Sequence, residues 1–222
     1  MNETMKKSKF TELIRSTRLE FDSLLEKFTP AQMTRAGAAG DWLIKVILAH
    51  ITWHEREMIG MLEAQALRGS ELWNLPLDQR NAIIHAGNKD RPLEEVRAEA
   101  RQVFLSLVEK LEALSEEALN DAGHFAEMPA DWQPWSVIAS NTYEHYQEHL
   151  VQLQNWGVKL SSAMQYECEG NQHDLSQIYQ LPLPRCPHQK GPRFRWRDGH
   201  QPANAKPDRR ALRRLGAEPQ PA

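Results

Sequence analysis

Four segments of this chain repeat apolar residues at the period of an α-helix, and nothing between them alternates in the way of a strand. Phe10, Leu13, Ile14, Phe21, Leu24, Leu25 and Phe28 trace the first stripe, which Thr29 and Pro30 close. A loop over residues 36–40 leads to the second helix, with Asp41 as its N-cap. Its buried face reads Leu43, Val46, Ile47, His50, Ile51, His54, Met58, Met61 and Leu62. A linker over residues 68–91 carries a short helical stretch near 79–85. The third helix opens at residues 90–92, where a proline suits the first turn, and turns Val96, Val103, Phe104, Leu107, Val108, Leu111 and Leu114 inward. The fourth opens near Pro134 and Trp135 and runs to about residue 160. Four amphipathic helices without strands predict an all-α fold, a four-helix bundle over residues 1–160. The linker is long enough to travel a bundle of about 30 Å, the length of a 20-residue helix. Helices two and three are therefore expected to run parallel, joined by a long crossover.

The net charge of −3 conceals an asymmetry. Residues 181–222 hold ten Lys/Arg against three Asp/Glu, a balance of +7, which leaves 17 against 27, or −10, for residues 1–180. An acidic body repels a phosphate backbone, so nucleic-acid binding by the bundle is not expected. The last 42 residues also hold eight of the 13 prolines and no apolar period. Such a composition cannot offset its ordering entropy, and a disordered tail is expected over residues 161–222. No apolar run approaches the ~20 residues of a membrane span. No secretory signal is visible at the start, so a cytoplasmic protein is expected. Cys168 and Cys186 make no disulfide framework and read as reduced thiols.

The chemistry concentrates in two histidine pairs. His50 and His54 stand four apart on helix two, and His145 and His149 four apart on helix four. That spacing stacks both side chains on one helix face, within reach of a single ion. Ile138, Thr142, His145, His149, Leu153 and Trp156 share one stripe, and His50 sits among Val46, Ile47 and Ile51. His50, His145 and His149 are thus expected to converge inside the bundle as ligands of a divalent ion, zinc, nickel or iron, with an open position for water or a thiol. His54 lies a turn further on and reads as a supporting group. Glu57, Glu144 and Glu148 are candidates to orient the imidazoles, although a helical carboxylate is more often a solvated one. A single histidine on an apolar face is more often a core residue than a ligand; the facing pairs carry the expectation.

Competing patterns fall away. Residues 145–149 spell H-x-x-E-H, but that protease motif needs a further acidic ligand on another helix of a large domain, and few structured residues follow it. Without strands, no phosphate-binding glycine loop has its context. Cys168, His173, Cys186 and His188 lack zinc-finger spacing. Asn141, Tyr143 and Tyr146 flank the second pair, in positions suited equally to substrate contact and to packing.

The string GDWLIKVILAHITWHE at residues 40–55 resembles the helix-two signature of the DinB superfamily, and NTYEHYQEH at residues 141–149 its helix-four signature, closest to the ClbS/DfsB branch. The resemblance covers residues 8–160. It implies a four-helix bundle with a crossover, and a metal held by His50, His145 and His149. Members include DNA-damage-inducible proteins, thiol-dependent transferases and isomerases, and self-resistance proteins that open a reactive cyclopropane. The resistance proteins lack the histidine triad that this chain keeps, which sets it apart from that chemistry. Three readings follow: a metal-dependent enzyme of the stress response, acting on a small electrophile with water or a low-molecular-weight thiol; a protein that sequesters a toxic small molecule without turnover; or a metal-free structural bundle. A homodimer is expected in each case.

Overall fold

The computed structural model describes residues 4–168, with side chains up to residue 160. Residues 161–168, expected as the start of a disordered tail, instead continue the last helix; the rest of the expected tail, and both cysteine side chains, lie outside the described residues. Four long helices carry the fold: α1 (Lys7–Leu25), α3 (Ile44–Ala64), α5 (Leu93–Ala113) and α8 (Tyr143–Cys168). Shorter elements join them: α2 (Pro30–Met33), a hairpin of β1 (Ala36–Ala39) and β2 (Trp42–Leu43), α4 (Leu77–Asn88), α6 (Glu116–Asn120) and α7 (Pro134–Ser140). No described helix is long and apolar enough to cross a membrane.

Side-chain partners fix the helix directions. Lys45 reaches the Arg91 carbonyl at 2.6 Å, Arg56 pairs with Glu99, and Glu63 pairs with Lys110 at 2.8 Å. Partners that advance together along both helices make α3 and α5 parallel, as the long linker predicts. Lys6 pairs with Glu116 and Arg15 with Glu112, while Arg18 reaches the Ala100 carbonyl, so α1 runs against α5. His50 meets His145, and His54 meets Asn141, which sets α8 against α3. The order is up, down, down, up, and the crossover between the two parallel members contains α4.

The central member is α3, buried on nearly every side from Ile44 to Leu62 because α1, α5, α8 and the crossover all pack on it. Phe10, Ile14, Phe21, Ile47, Ile51, Met61, Leu107, Leu111, Ile138 and Leu153 form the dry interior. Val103, Phe104 and Leu114, expected inside, are half-buried at its margin.

Two local expectations are corrected. The loop over residues 36–40 is half of a hairpin: Ala39 pairs with Trp42 across a Gly40-Asp41 turn, and Gly40 takes the positive φ of 64° that such two-residue turns favour. Asp41 is a turn residue, and the N-cap position of α3 belongs to Leu43. The fourth helix is also two helices. Its stripe breaks at Asn141 and Thr142, whose side chains donate to the Val137 and Ile138 carbonyls at 2.8 and 2.7 Å. Polar side chains of this kind compete with the helical ladder and end it there.

The hairpin is pinned to α8 through Gly37. A Cβ there would lie 2.6 Å from the Trp156 ring, and φ is +116°, a value that disfavours any side chain. Gly37→Ala is expected to destabilise the protein by about 2 kcal/mol or more through strain and displacement of Trp156. Gly60→Ala, in open space on α3, is expected to be neutral or to stabilise by up to about 1 kcal/mol. Denaturant unfolding of the two variants checks the contrast; equal effects would mean that Gly37 is not a constraint.

Candidate metal centre

The antiparallel pairing of α3 and α8 brings the four histidines together. Nε2 of His145 lies 3.1 Å from Nε2 of His50 and 3.0 Å from Nε2 of His149. These three residues offer one ligand atom each within 4.8 Å of one another. His50 and His145 are buried, and His149 is half-buried, so the cluster is approached from the His149 side. Burial is the first cause that holds all the imidazoles neutral: His50, His54 and His145 are pushed well below the ordinary histidine range, and His149 is lowered to about 4.

Neutral imidazoles cannot satisfy one another in this arrangement. A ring nitrogen is either a donor or an acceptor. If His145 Nε2 carries the proton, it can donate to one neighbour and must face a lone pair or a second proton at the other. A cation resolves the conflict, because all three nitrogens then present lone pairs to it. Two nitrogens bound to one ion at about 2.1 Å stand about 3.0–3.4 Å apart for ligand angles from square to tetrahedral, which matches the two edges at His145, while His50 and His149 stand within 4.8 Å of each other.

The neighbouring groups fit the same reading at one ligand. His149 Nδ1 lies 2.8 Å from Gln152 Oε1, an acceptor that keeps the proton on Nδ1 and leaves Nε2 bare. Nδ1 of His50 and of His145 is buried and meets no partner among the described residues. Their ring planes are fixed by packing. His50 meets the edge of Trp42 at 5.4 Å, and His145 lies edge-to-face with His54 at 4.4 Å.

His54 stays out of the three-nitrogen group. Its Nδ1 is 2.7 Å from Asn141 Oδ1, so the side chain that ends α7 also orients this ring. Two of the three proposed orienting carboxylates are engaged elsewhere. Glu57 accepts the Ser70 amide at 2.7 Å and ties the crossover to α3, Glu144 bonds Tyr143, and Glu148 is exposed. Tyr143 packs edge-on against Phe10 at 6.0 Å, and Tyr146 is fully buried, its hydroxyl 2.6 Å from Glu55 Oε1.

The sequence reading missed three contributors. Gln152 follows His149 by one turn, a spacing that invites the contact. Trp73 and Arg80 come from the crossover, whose weak periodicity gave no face to read; Trp73 stacks on Trp53 at 5.6 Å and meets His54 at 6.0 Å. No curated protein matches the chain. The sequence pattern of the DinB superfamily, however, matches residues 13–153, well over half of the chain and all three clustered histidines, and the protein belongs to that superfamily.

Proposed function

We propose that this is a metal-dependent protein of the DinB type, and that His50, His145 and His149 hold a divalent ion at which a small electrophile is attacked by water or by a low-molecular-weight thiol. The observation that supports the reading is that His145 Nε2 lies at hydrogen-bond distance from Nε2 of both His50 and His149, three neutral imidazoles with at most one good hydrogen bond among them. A bound ion supplies Lewis acidity that lowers the pKa of the attacking water or thiol. The chain's own residues set the stage: Gln152 fixes the His149 tautomer, Asn141 fixes His54, and the Trp42 and His54 rings fill the space around the imidazoles and keep bulk water from it. The acidic body agrees with a small-molecule substrate in preference to DNA.

Elemental analysis of the purified full chain is expected to find about one divalent ion per molecule after growth with added zinc and nickel. His145→Ala and His149→Ala are each expected to lower affinity by at least about a hundredfold, as loss of one ligand in three should. Metal content that stays far below stoichiometric, or is unchanged by both substitutions, would sink the reading. Incubation with a thiol and an alkylating electrophile then separates enzyme from sequestering protein by mass spectrometry. Catalysis converts many equivalents and is abolished in His50→Ala; sequestration stops at one equivalent and returns the compound intact.

A further inference from the structure

The crossover brings a guanidinium to the histidine centre. Arg80, on α4, lies over the faces of Trp53 and Trp73 at 5.5 and 4.9 Å from the ring centroids. Trp53 in turn meets the edge of His54 at 4.8 Å. The Arg80 charge is close enough to press the His50, His54 and His145 pKa values downward. Its Nε is buried without an acceptor, and no carboxylate lies within ion-pair distance of it among the described residues. The acidic side chain whose charge acts on it is Glu57, which is bound to the Ser70 amide. A half-buried cation without a counter-charge is costly. The two indole faces offset part of that cost but leave the buried Nε–H on the edge of the guanidinium without an acceptor.

That edge has a specific complement. Parallel N–H donors in a fixed plane match the two oxygens of a carboxylate or phosphate. We propose that Arg80 is the anion-recognition residue of the histidine centre, and that the molecule taken there carries an oxyanion held by the Arg80 edge beside the imidazoles. Calling that molecule the substrate rests on the metal-centre reading above; capture of the oxyanion itself needs no ion.

The full chain, stripped of metal with EDTA, is titrated separately with sodium acetate and with inorganic phosphate at constant ionic strength. Two signals are followed: tryptophan fluorescence, since Trp53 and Trp73 flank the guanidinium, and the arginine Nε–H resonances, with the Arg80 signal assigned by its loss in Arg80→Lys. At least one anion is expected to saturate below about 100 mM and to move the Arg80 Nε–H signal. Its affinity should fall about tenfold or more in Arg80→Gln and recover in part in Arg80→Lys. Saturation by acetate alone assigns a carboxylate, and by phosphate alone a phosphate. Because the titration is run on protein stripped of metal, loss of the metal reading leaves this result standing. The proposal is overturned if neither anion saturates, if the Arg80 Nε–H signal stays still in the wild-type chain, or if Arg80→Gln binds as tightly as wild type.

Discussion

Arg18→Ala is expected to lower the unfolding free energy by about 3–5 kcal/mol, the usual cost of leaving a buried charge without its partner. Arg18 is 1% exposed and Glu55 0% exposed, and the guanidinium Nη1 donates to Glu55 Oε1. Tyr146 donates to the same oxygen, Asp22 accepts from Arg18 Nε at 3.0 Å, and the guanidinium lies 4.7 Å over the Phe104 ring. One polar group thereby joins α1, α3, α5 and α8 in the middle of the bundle. Burial pushes the Glu55 pKa up while Arg18 and Tyr146 hold it down. Without Arg18 the carboxyl must protonate or unfold the core around it. The double replacement Arg18→Met with Glu55→Leu is expected to retain more stability than Arg18→Ala, since it removes the charge together with its partner. Urea unfolding of the two proteins decides this; a double variant at least as unstable as Arg18→Ala would show that the pair stabilises by more than mutual compensation.

The metal-free protein is expected to lose about 4 kcal/mol of stability between neutral pH and about pH 5.5. Folded histidine pKa values lie below the ordinary value, so the unfolded chain binds more protons in acid and stability must fall as pH falls. The loss begins near the unfolded pKa of about 6.5 and grows by about 1.4 kcal/mol per pH unit for each buried imidazole. His50, His54 and His145 contribute in this way, and their slope continues until the folded values are reached. His149 adds to the same trend down to about 4. Glu55, with its raised pKa, works in the opposite sense at the acid end. Since a domain holds about 5–15 kcal/mol in all, the apoprotein should be close to unfolding near pH 5. Denaturant midpoints measured across this range test the linkage, and a profile flat down to about pH 5.5 would refute it.

The stripes that marked α1, α3, α5 and α8 were legible because each helix buries one face, and a histidine within a stripe inherits its direction. The parallel pair followed from linker length alone. The break at Asn141 was hidden because the apolar period continues through Ile138, Thr142 and His145 as though the helix were unbroken; what ends it is hydrogen bonding by two side chains. The hairpin strands have four and two residues, too few to alternate visibly. Arg18 and Glu55 escaped notice because charged helical residues are usually solvated. Yet Arg18 stands in line with Ile14, Phe21 and Leu25, and Glu55 with Ile51, Met58 and Leu62, and a charge inside an apolar stripe is a signal that a second charge must face it.

Two neighbouring helices that point the same way cannot be joined by a tight turn. The topology therefore obliges the chain to return along the bundle, and the returning segment is where Trp73 and Arg80 reside. The clustered histidine nitrogens, by contrast, come from α3 and α8, whose packing tolerates little change. On the proposed reading, ligand choice and reactive chemistry would be written into different parts of the polypeptide, the first into the crossover and the second into two tightly packed helices. A bundle of this kind can acquire a new specificity by exchanging its return segment while the imidazole triad stays where it is.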